Sequence, residues 1–239
     1  MSEPSSSRYA IYYTPAREHP LTVAASSWLG RDAFAPGACS AGGTAALAFT
    51  SEPRRYGFHA TLKAPFRLRD GASVADLERA LSQFAASRPP CPIGPLRIDL
   101  LGGFFALVPA SPIPALRGLA AQIVEEFDGF RAPMNASELQ RRLQSPLDET
   151  ETAHLVQWGY PYVRDRFRFH LTLTDRIPAA ERAGIRQRVE PVFQSYLSED
   201  YRIDTLSLFV QEHDQADFMV RSQFAFHSGA AVAAALGGP

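Results

Sequence analysis

The pattern Phe-His-x-Thr-Leu occurs twice in this chain of 239 residues, at residues 58–62 and 169–173. Apolar residues flank each His and Thr, as in a strand with one buried face and one face on a cleft. His59 and Thr61 then share a face, as do His170 and Thr172, because successive side chains of a strand point to opposite sides. Residues two apart on one face stand roughly 6.5–7 Å apart, so an imidazole and a hydroxyl reach one small anion. Two facing strands of this kind would place two histidines and two threonines around a single cleft. The alternative is a repeated amphipathic strand whose histidines are satisfied by hydrogen bonds.

The same order of elements surrounds both copies. Strand, helix, histidine strand, helix and strand are predicted once over residues 8–102 and again over 103–227, with the histidine strands at 55–68 and 166–175. Gly102-Gly103 is typical of a hairpin turn between the two halves. The pattern predicts a duplicated unit within one domain, 8–227, with flexible tails at 1–7 and 228–239.

A segment of helical character, 131–164, interrupts the second half. Ser145 followed by Pro146 is typical of a helix start, and we interpret Asp148, Glu149 and Glu151 as first-turn acids rather than metal ligands. The aromatic segment 158–162 is either a lid or pocket wall, or packed core. No histidine has a partner at metal-ligand spacing, so we predict no metal site and no cofactor.

Composition limits the class of protein. A hydrophobic content of 46% and a charged content of 21% are typical of globular chains. A net charge of −1 argues against binding to long nucleic acid, which normally requires a basic excess. The chain has two cysteines without metal-ligand spacing, and it shows neither an apolar run of membrane-spanning length nor a signal-peptide pattern. We therefore predict a cytoplasmic protein that does not bind a membrane. The sequence leaves open which protein partners the chain has.

Several further segments resemble those of a known family. They are Arg8-Tyr9-Ala10-Ile11-Tyr12, residues 54–66 around the first His-x-Thr, Leu101-Gly102-Gly103-Phe104, Trp158-Gly159-Tyr160-Pro161-Tyr162, and residues 169–173. With the paired His-x-Thr motifs, they resemble the two-histidine phosphoesterase superfamily, which includes the RNA-ligase-like cyclic phosphodiesterases. The resemblance is closer to a branch found with bacterial phosphonate-degradation genes, and it extends from about Arg8 to Phe226.

This resemblance implies a bilobal α+β fold in which two antiparallel sheets face each other across a central cleft, with helices outside. It also implies metal-independent cleavage of a cyclic phosphodiester, with 5-phosphoribosyl 1,2-cyclic phosphate as the expected substrate. Histidine suits the two proton transfers because its pKa lies near neutrality. Thr61 and Thr172 would hold the non-bridging oxygens, and either histidine could be the base.

A substrate with a second phosphate needs further binding groups. By strict alternation, Lys63 shares the face of His59 and Thr61, and Arg176 continues the face of His170 and Thr172. The other candidates for substrate binding are Tyr12, Tyr56, Arg55 and Tyr162. For each, the alternative is a solvated or structural side chain.

Two rival functions stay open. One is a phosphodiesterase acting on RNA ends or on cyclic or 2′,5′-linked nucleotides, for which Tyr56, Tyr160 and Tyr162 would stack on bases. The other is a binding module that senses a phosphorylated ligand without turning it over. The ligand expected in either case is a small phosphorylated sugar or nucleotide.

Overall fold

A computed structural model describes residues 7–37 and 47–227 as a set of helices packed on short antiparallel strands. Seven α-helices lie within these residues: α1 (Pro20–Leu29), α2 (Ser51–Tyr56), α3 (Val74–Ala86), α4 (Pro114–Glu126), α5 (Ala136–Leu143), α6 (Glu149–Trp158) and α7 (Arg182–Phe193). Nine strands accompany them: β1 (Arg8–Tyr13), β2 (Ala60–Phe66), β3 (Cys91–Gly94), β4 (Leu96–Leu101), β5 (Phe104–Pro109), β6 (Leu171–Thr172), β7 (Tyr201–Ile203), β8 (Thr205–Gln211) and β9 (Met219–Ala225). Most of both predicted tails lies outside the described residues, as does Cys39.

The strands form antiparallel sheets, which confirms the predicted α+β class. A four-stranded sheet has the order β2-β1-β8-β9, and a three-stranded sheet has the order β4-β5-β6. A further two-stranded sheet joins β3 to β7. The sequence does not predict β3, because it is four residues long and contains Pro92, and proline argues against a strand.

Strands from the two halves of the sequence are exchanged between the sheets. β8 and β9, near the end of the chain, extend the sheet of β1 and β2. β4, from the first half, pairs along its whole length with β5 through the turn at Gly102 and Gly103. As a result, β2 and β6, which carry the two threonines of the repeated motif, belong to different sheets.

The alternation of side chains along β1 connects the core to the cleft. Tyr9, Ile11 and Tyr13 pack into the large hydrophobic core. Ala10 and Tyr12 face the other way, into a smaller buried cluster with Phe209 and Phe218. One strand therefore anchors the sheet to the core and presents a buried aromatic ring to the opposite face.

Both histidine strands are shorter than the sequence predicts. The first begins at Ala60 rather than residue 55, because residues 51–56 form α2, with Glu52 and Pro53 in its first turn. α2 ends at Gly57, whose φ of 75° is in the left-handed region that favours glycine. The second strand contains only Leu171 and Thr172. Each histidine therefore lies just before its strand rather than inside it.

The helical character predicted for residues 131–164 is confirmed by α5 and α6. The start of α6 is displaced from the predicted cap at Ser145. Asp148 is the N-cap and forms a capping box with Glu151, so these two acids do serve the helix start. The helix ends at Gly159, inside the aromatic segment, and Tyr160 follows in the cleft lining.

Candidate active site

A cleft of about 630 Å³ contains all four His and Thr side chains of the repeated motif. Its described lining is Tyr12, Ser51, Glu52, Pro53, Tyr56, His59, Thr61, Ala64, Pro65, Phe104, Tyr160, His170, Thr172, Thr174, Asp175 and Arg176. A separate cavity of about 780 Å³ lies behind the second histidine segment, with Arg97, Arg117, Arg164 and Arg168 in its wall, and its described lining includes no histidine. The smaller cleft is therefore the place where acid–base groups converge.

The two histidines are held by the same local hydrogen bond. Nδ1 of His59 lies 2.9 Å from the carbonyl oxygen of Gly57, and Nδ1 of His170 lies 2.8 Å from that of Arg168. A carbonyl only accepts, so each Nδ1 must carry the proton that is donated. Each Nε2 is then the nitrogen available to a ligand, as acceptor in the neutral ring and as donor in the protonated ring.

His59 is enclosed by aromatic rings. Tyr12 stacks on it with ring centroids 3.9 Å apart and an interplanar angle of 23°. Tyr56 and Phe209 lie at 5.9 Å and 6.1 Å. This burial lowers the pKa of His59 to about 4; the bond to Gly57 opposes the shift, and the proximity of His170 adds to it. His59 is therefore held in the neutral form.

His170 has a more open environment. Its ring neighbour is Phe104, with centroids 5.7 Å apart and the planes tilted by 48°. Burial lowers the pKa of His170, the bond to the Arg168 carbonyl opposes this shift, and the positive charge of Arg168 adds to it. Both imidazoles thus disfavour the proton in the absence of a bound anion.

The motif threonines line the cleft beside their histidines. Thr61 pairs with Tyr12 across the strands β2 and β1, and the Tyr12 side chain interacts with the Thr61 side chain. Thr172 pairs with Ala106 across β6 and β5. Thr174 is buried, and its hydroxyl accepts a hydrogen bond of 2.9 Å from the Phe105 amide, so its oxygen serves the backbone instead.

Lys63 does not face the cleft, and the alternation argument for it is wrong. Ile11 pairs with Lys63 while the next residue, Tyr12, pairs with Thr61, so Leu62 is an extra residue in a β-bulge. The bulge turns Lys63 to the opposite face of the sheet. There its ammonium donates to the Val124 carbonyl at 3.1 Å and to the Asp128 carboxylate at 2.9 Å, with 4% of the side chain exposed.

The other predicted binding residues divide into two groups. Tyr12, Tyr56 and Arg176 line the cleft, and Arg176 is the one Lys or Arg among its described lining residues. Arg55 lies elsewhere and donates to the Asp214 carbonyl. Tyr162 is 47% exposed, with its ring edge-on to Tyr160 and outside the cleft lining.

Sequence reasoning missed four lining residues that come from other segments: Phe104, Ser51, Glu52 and Pro53. Phe104 follows the Gly102-Gly103 turn, and this turn was the one local signal that a side chain would be delivered beside the second histidine. Residues 51–53 carried no such signal, because their place in the cleft depends on the path of the chain from α2 into β2. In the described part of the chain, no three His, Cys, Asp or Glu side chains group as metal ligands would. No helix among those residues has the length and apolar character to cross a membrane.

Fold and site together define an α+β protein with a two-histidine, two-threonine cleft. The chain belongs to the family described as "Protein of unknown function (DUF1045)", which matches residues 61–219. That range includes Thr61, His170 and Thr172, and His59 lies two residues before it.

Two curated relatives are each named "Ribose 1,5-bisphosphate phosphokinase PhnN". The one from Janthinobacterium sp. (strain Marseille) is 35% identical over 229 residues, which cover 92% of this chain and 51% of the relative. The one from Laribacter hongkongensis (strain HLHK9) is 33% identical over 221 residues, 88% of this chain and 50% of the relative. The chain therefore spans about half the length of the curated relatives it matches.

Two solved structures are also similar to the chain. "Crystal structure of E.coli LigT complexed with NADP+" has a TM-score of 0.41 and 13% identity, covering 92% of this chain and 98% of that one. "Crystal structure of phosphoesterase" has a TM-score of 0.41 and 14% identity, covering 95% and 100%.

Proposed function

We propose that this chain is a metal-independent cyclic phosphodiesterase of the two-histidine superfamily, acting in the cytoplasm on 5-phosphoribosyl 1,2-cyclic phosphate in phosphonate degradation. The observation that carries the proposal is the convergence of His59 and His170 on one cleft. They come from segments attached to two different sheets, and each Nδ1 is occupied by a backbone carbonyl. Two imidazoles whose Nε2 atoms make no hydrogen bond within the described residues are the groups that such a reaction needs.

The proton transfers follow from this arrangement. Nε2 of the neutral imidazole accepts a proton from water as the water oxygen bonds to phosphorus. Nε2–H of the protonated imidazole donates to the ring oxygen as its bond to phosphorus breaks, which leaves a phosphomonoester. The hydroxyls of Thr61 and Thr172 donate to the non-bridging oxygens, where charge accumulates in the transition state.

Arg176 is the proposed cation for the second phosphate, because it reaches the cleft and is exposed. Its Nη1 donates to the Gly102 carbonyl at 2.5 Å, which orients the guanidinium while leaving further donors for a ligand. The tyrosines Tyr12 and Tyr56 would contact the sugar face.

The names of the curated relatives agree with this substrate. Breaking the bond between phosphorus and O2 of the cyclic phosphate leaves one phosphate on O1 and one on O5. That product is ribose 1,5-bisphosphate, the compound in the relatives' names. A chain that resembles half of such a protein would then supply the compound on which the named kinase acts.

A nucleotide substrate is the second candidate, and the aromatic lining of the cleft favours it. Tyr56, Tyr160 and Phe104 are available to stack on a base. Against RNA ends as the substrate, the described lining carries a single Lys or Arg, whereas several backbone phosphates require a basic rim.

Phosphorus NMR distinguishes the candidates. Wild type, His59→Ala and His170→Ala are incubated with 5-phosphoribosyl 1,2-cyclic phosphate and, separately, with a nucleoside 2′,3′-cyclic phosphate. His213→Ala is the matched control, because His213 is exposed and lies outside the cleft lining. We expect wild type and the control to open the ribose compound, and both cleft variants to leave it intact.

If wild type opens only the nucleotide, the proposed cyclic phosphodiesterase reaction stands, and the ribose compound is rejected as its substrate. If wild type opens neither compound but binds the ribose compound, the protein is a binding module for a phosphorylated ligand rather than an enzyme. Loss of activity with a chelator, restored by a divalent metal, would reject the metal-independent mechanism.

A further inference from the structure

The carboxylate of Asp175 connects the second histidine segment to the helix that leads into the first. Its Oδ2 accepts from the Ser51 amide at 2.9 Å and from the Ser51 hydroxyl at 2.8 Å. Its Oδ1 accepts from the Glu52 amide at 2.8 Å. These amides are the first two of α2, and Thr50, at the N-cap position, makes no side-chain capping bond. Asp175 therefore caps α2 from 124 residues away.

α2 links the amides that Asp175 binds to the carbonyl that holds the His59 ring. The helix ends at Gly57, whose amide bonds to the Pro53 carbonyl at 2.9 Å and whose carbonyl oxygen accepts from Nδ1 of His59. A Cβ at Gly57 would lie 2.5 Å from Cβ of Ala33, so the backbone is pressed closely against its neighbour there. A shift of α2 along its axis would accordingly move the carbonyl that orients the imidazole.

Asp175 is equally well fixed on its own side. It lies five residues after His170, and its amide donates to the Phe49 carbonyl at 2.7 Å. The hydroxyl of Thr174 donates to the Asp175 carbonyl at 2.9 Å while accepting from the Phe105 amide in β5. The carboxylate thus extends from the segment that follows β6 to the helix that precedes His59.

We propose that Asp175 is a positioning residue that sets the placement of His59 relative to His170 by capping α2. This inference rests on the proposed phosphodiesterase reaction. Proton transfer on both sides of one phosphorus atom requires the two Nε2 atoms at a fixed separation. Small displacements of catalytic groups are costly, about 10²-fold in rate for 1 Å.

Three variants test the proposal. Asp175→Asn keeps the shape but places an amide group against donors, so at least one capping bond is lost. Asp175→Glu keeps the carboxylate and is the conservative rescue. Asp76→Asn is the matched control, because Asp76 belongs to the capping box of α3, outside the cleft lining.

We measure kcat and KM, and in parallel the pH titration of the His59 ring protons by NMR. Asp175→Asn should lower kcat about tenfold, with KM within about twofold, and move the pKa of His59 upward from about 4 as water gains access. Asp175→Glu should recover part of both changes. Asp76→Asn should change neither.

The proposal is overturned if Asp175→Asn lowers the melting temperature but keeps wild-type kcat and His59 titration. Should Asp175→Asn fail to fold, Ser51→Ala removes one of the three bonds, and it must then lower kcat in the same direction. If wild type has no phosphodiesterase activity, the proposed function fails, while the histidine titration still decides whether Asp175 positions His59.

Discussion

In the first Phe-His-x-Thr-Leu segment, His59 is enclosed by several rings and a seven-residue strand follows it. In the second, His170 has one ring neighbour among the described residues, Phe104, and the strand has two residues. Both histidines nevertheless make the same Nδ1 bond to the carbonyl two residues before them. The motif thus sets which nitrogen is presented to the cleft, and the surrounding side chains set how easily that nitrogen takes a proton. Because His59 is the more enclosed, we expect His170 to take the first proton as the pH falls.

Replacing each histidine tests whether the different surroundings of His59 and His170 also give them different contributions to the rate. His59→Ala and His170→Ala should each lower kcat by about 10²–10⁴-fold, because each removes one positioned acid or base. The double variant should lose little more than the worse single one, since the two groups act as a unit. Single-turnover rates of the three variants measure this. A loss below tenfold in one single variant would show that only the other histidine takes part in the chemistry.

The pH dependence should reveal the unequal surroundings directly. One imidazole must be neutral and the other protonated, and burial lowers the pKa of His59 to about 4 and that of His170 below its ordinary value. In the free enzyme, kcat/KM should therefore fall about tenfold per pH unit above about 6.5, the ordinary pKa of histidine. The corresponding fall in kcat should come at higher pH, because a bound phosphate anion favours the protonated ring. Initial rates between pH 4 and 9 measure both; a kcat/KM that rises from pH 6 to 8 contradicts the assignment.

Lys63 and Arg176 each follow one of the two motifs, and we expect only the replacement of Arg176 to weaken substrate binding. Arg176→Ala should raise KM by about 10–100-fold and change kcat little, because a charge-assisted contact to the distal phosphate is worth about 1.5–3 kcal/mol. Arg186→Ala is a suitable control, since that side chain is 48% exposed and pairs with Glu190 on α7. Steady-state kinetics would count against the assignment if Arg176→Ala and the control had equal KM values.

Lys63→Met should have the smallest effect on activity. Its ammonium bonds to Val124 and Asp128 behind the sheet, so kcat and KM should stay within about twofold of wild type. The free energy of unfolding should fall by about 1–3 kcal/mol, because buried acceptors lose their donor while Asp128 keeps Arg131. Urea unfolding measures the stability. A large rise in KM without a loss of stability would indicate that Lys63 does contact the substrate.

Much of the framework was predictable because it depends on nearby residues. Ser73 and Asp76 form the capping box that starts α3, and Leu77, Leu81 and Phe84, whose spacing is typical of one face of a helix, form its buried stripe. The Gly102-Gly103 turn joins β4 to β5 as expected. Lys63 was misplaced because strict alternation fails where Leu62 forms a bulge, and that bulge depends on the pairing of β2 with β1. Arg55 was misplaced because α2, rather than a strand, carries it.

The sequence alone determined which His and Thr side chains are proposed to react, and the start and buried stripe of α3. These features depend on residues that are close in the sequence, so the sequence is enough to predict them. The tertiary structure decided that β8 and β9 join the sheet of β1, that Tyr12 stacks on His59 and that Asp175 caps α2. Solvent exclusion, strand register and long-range capping depend on segments brought together only by folding, and the pKa of each histidine depends on them.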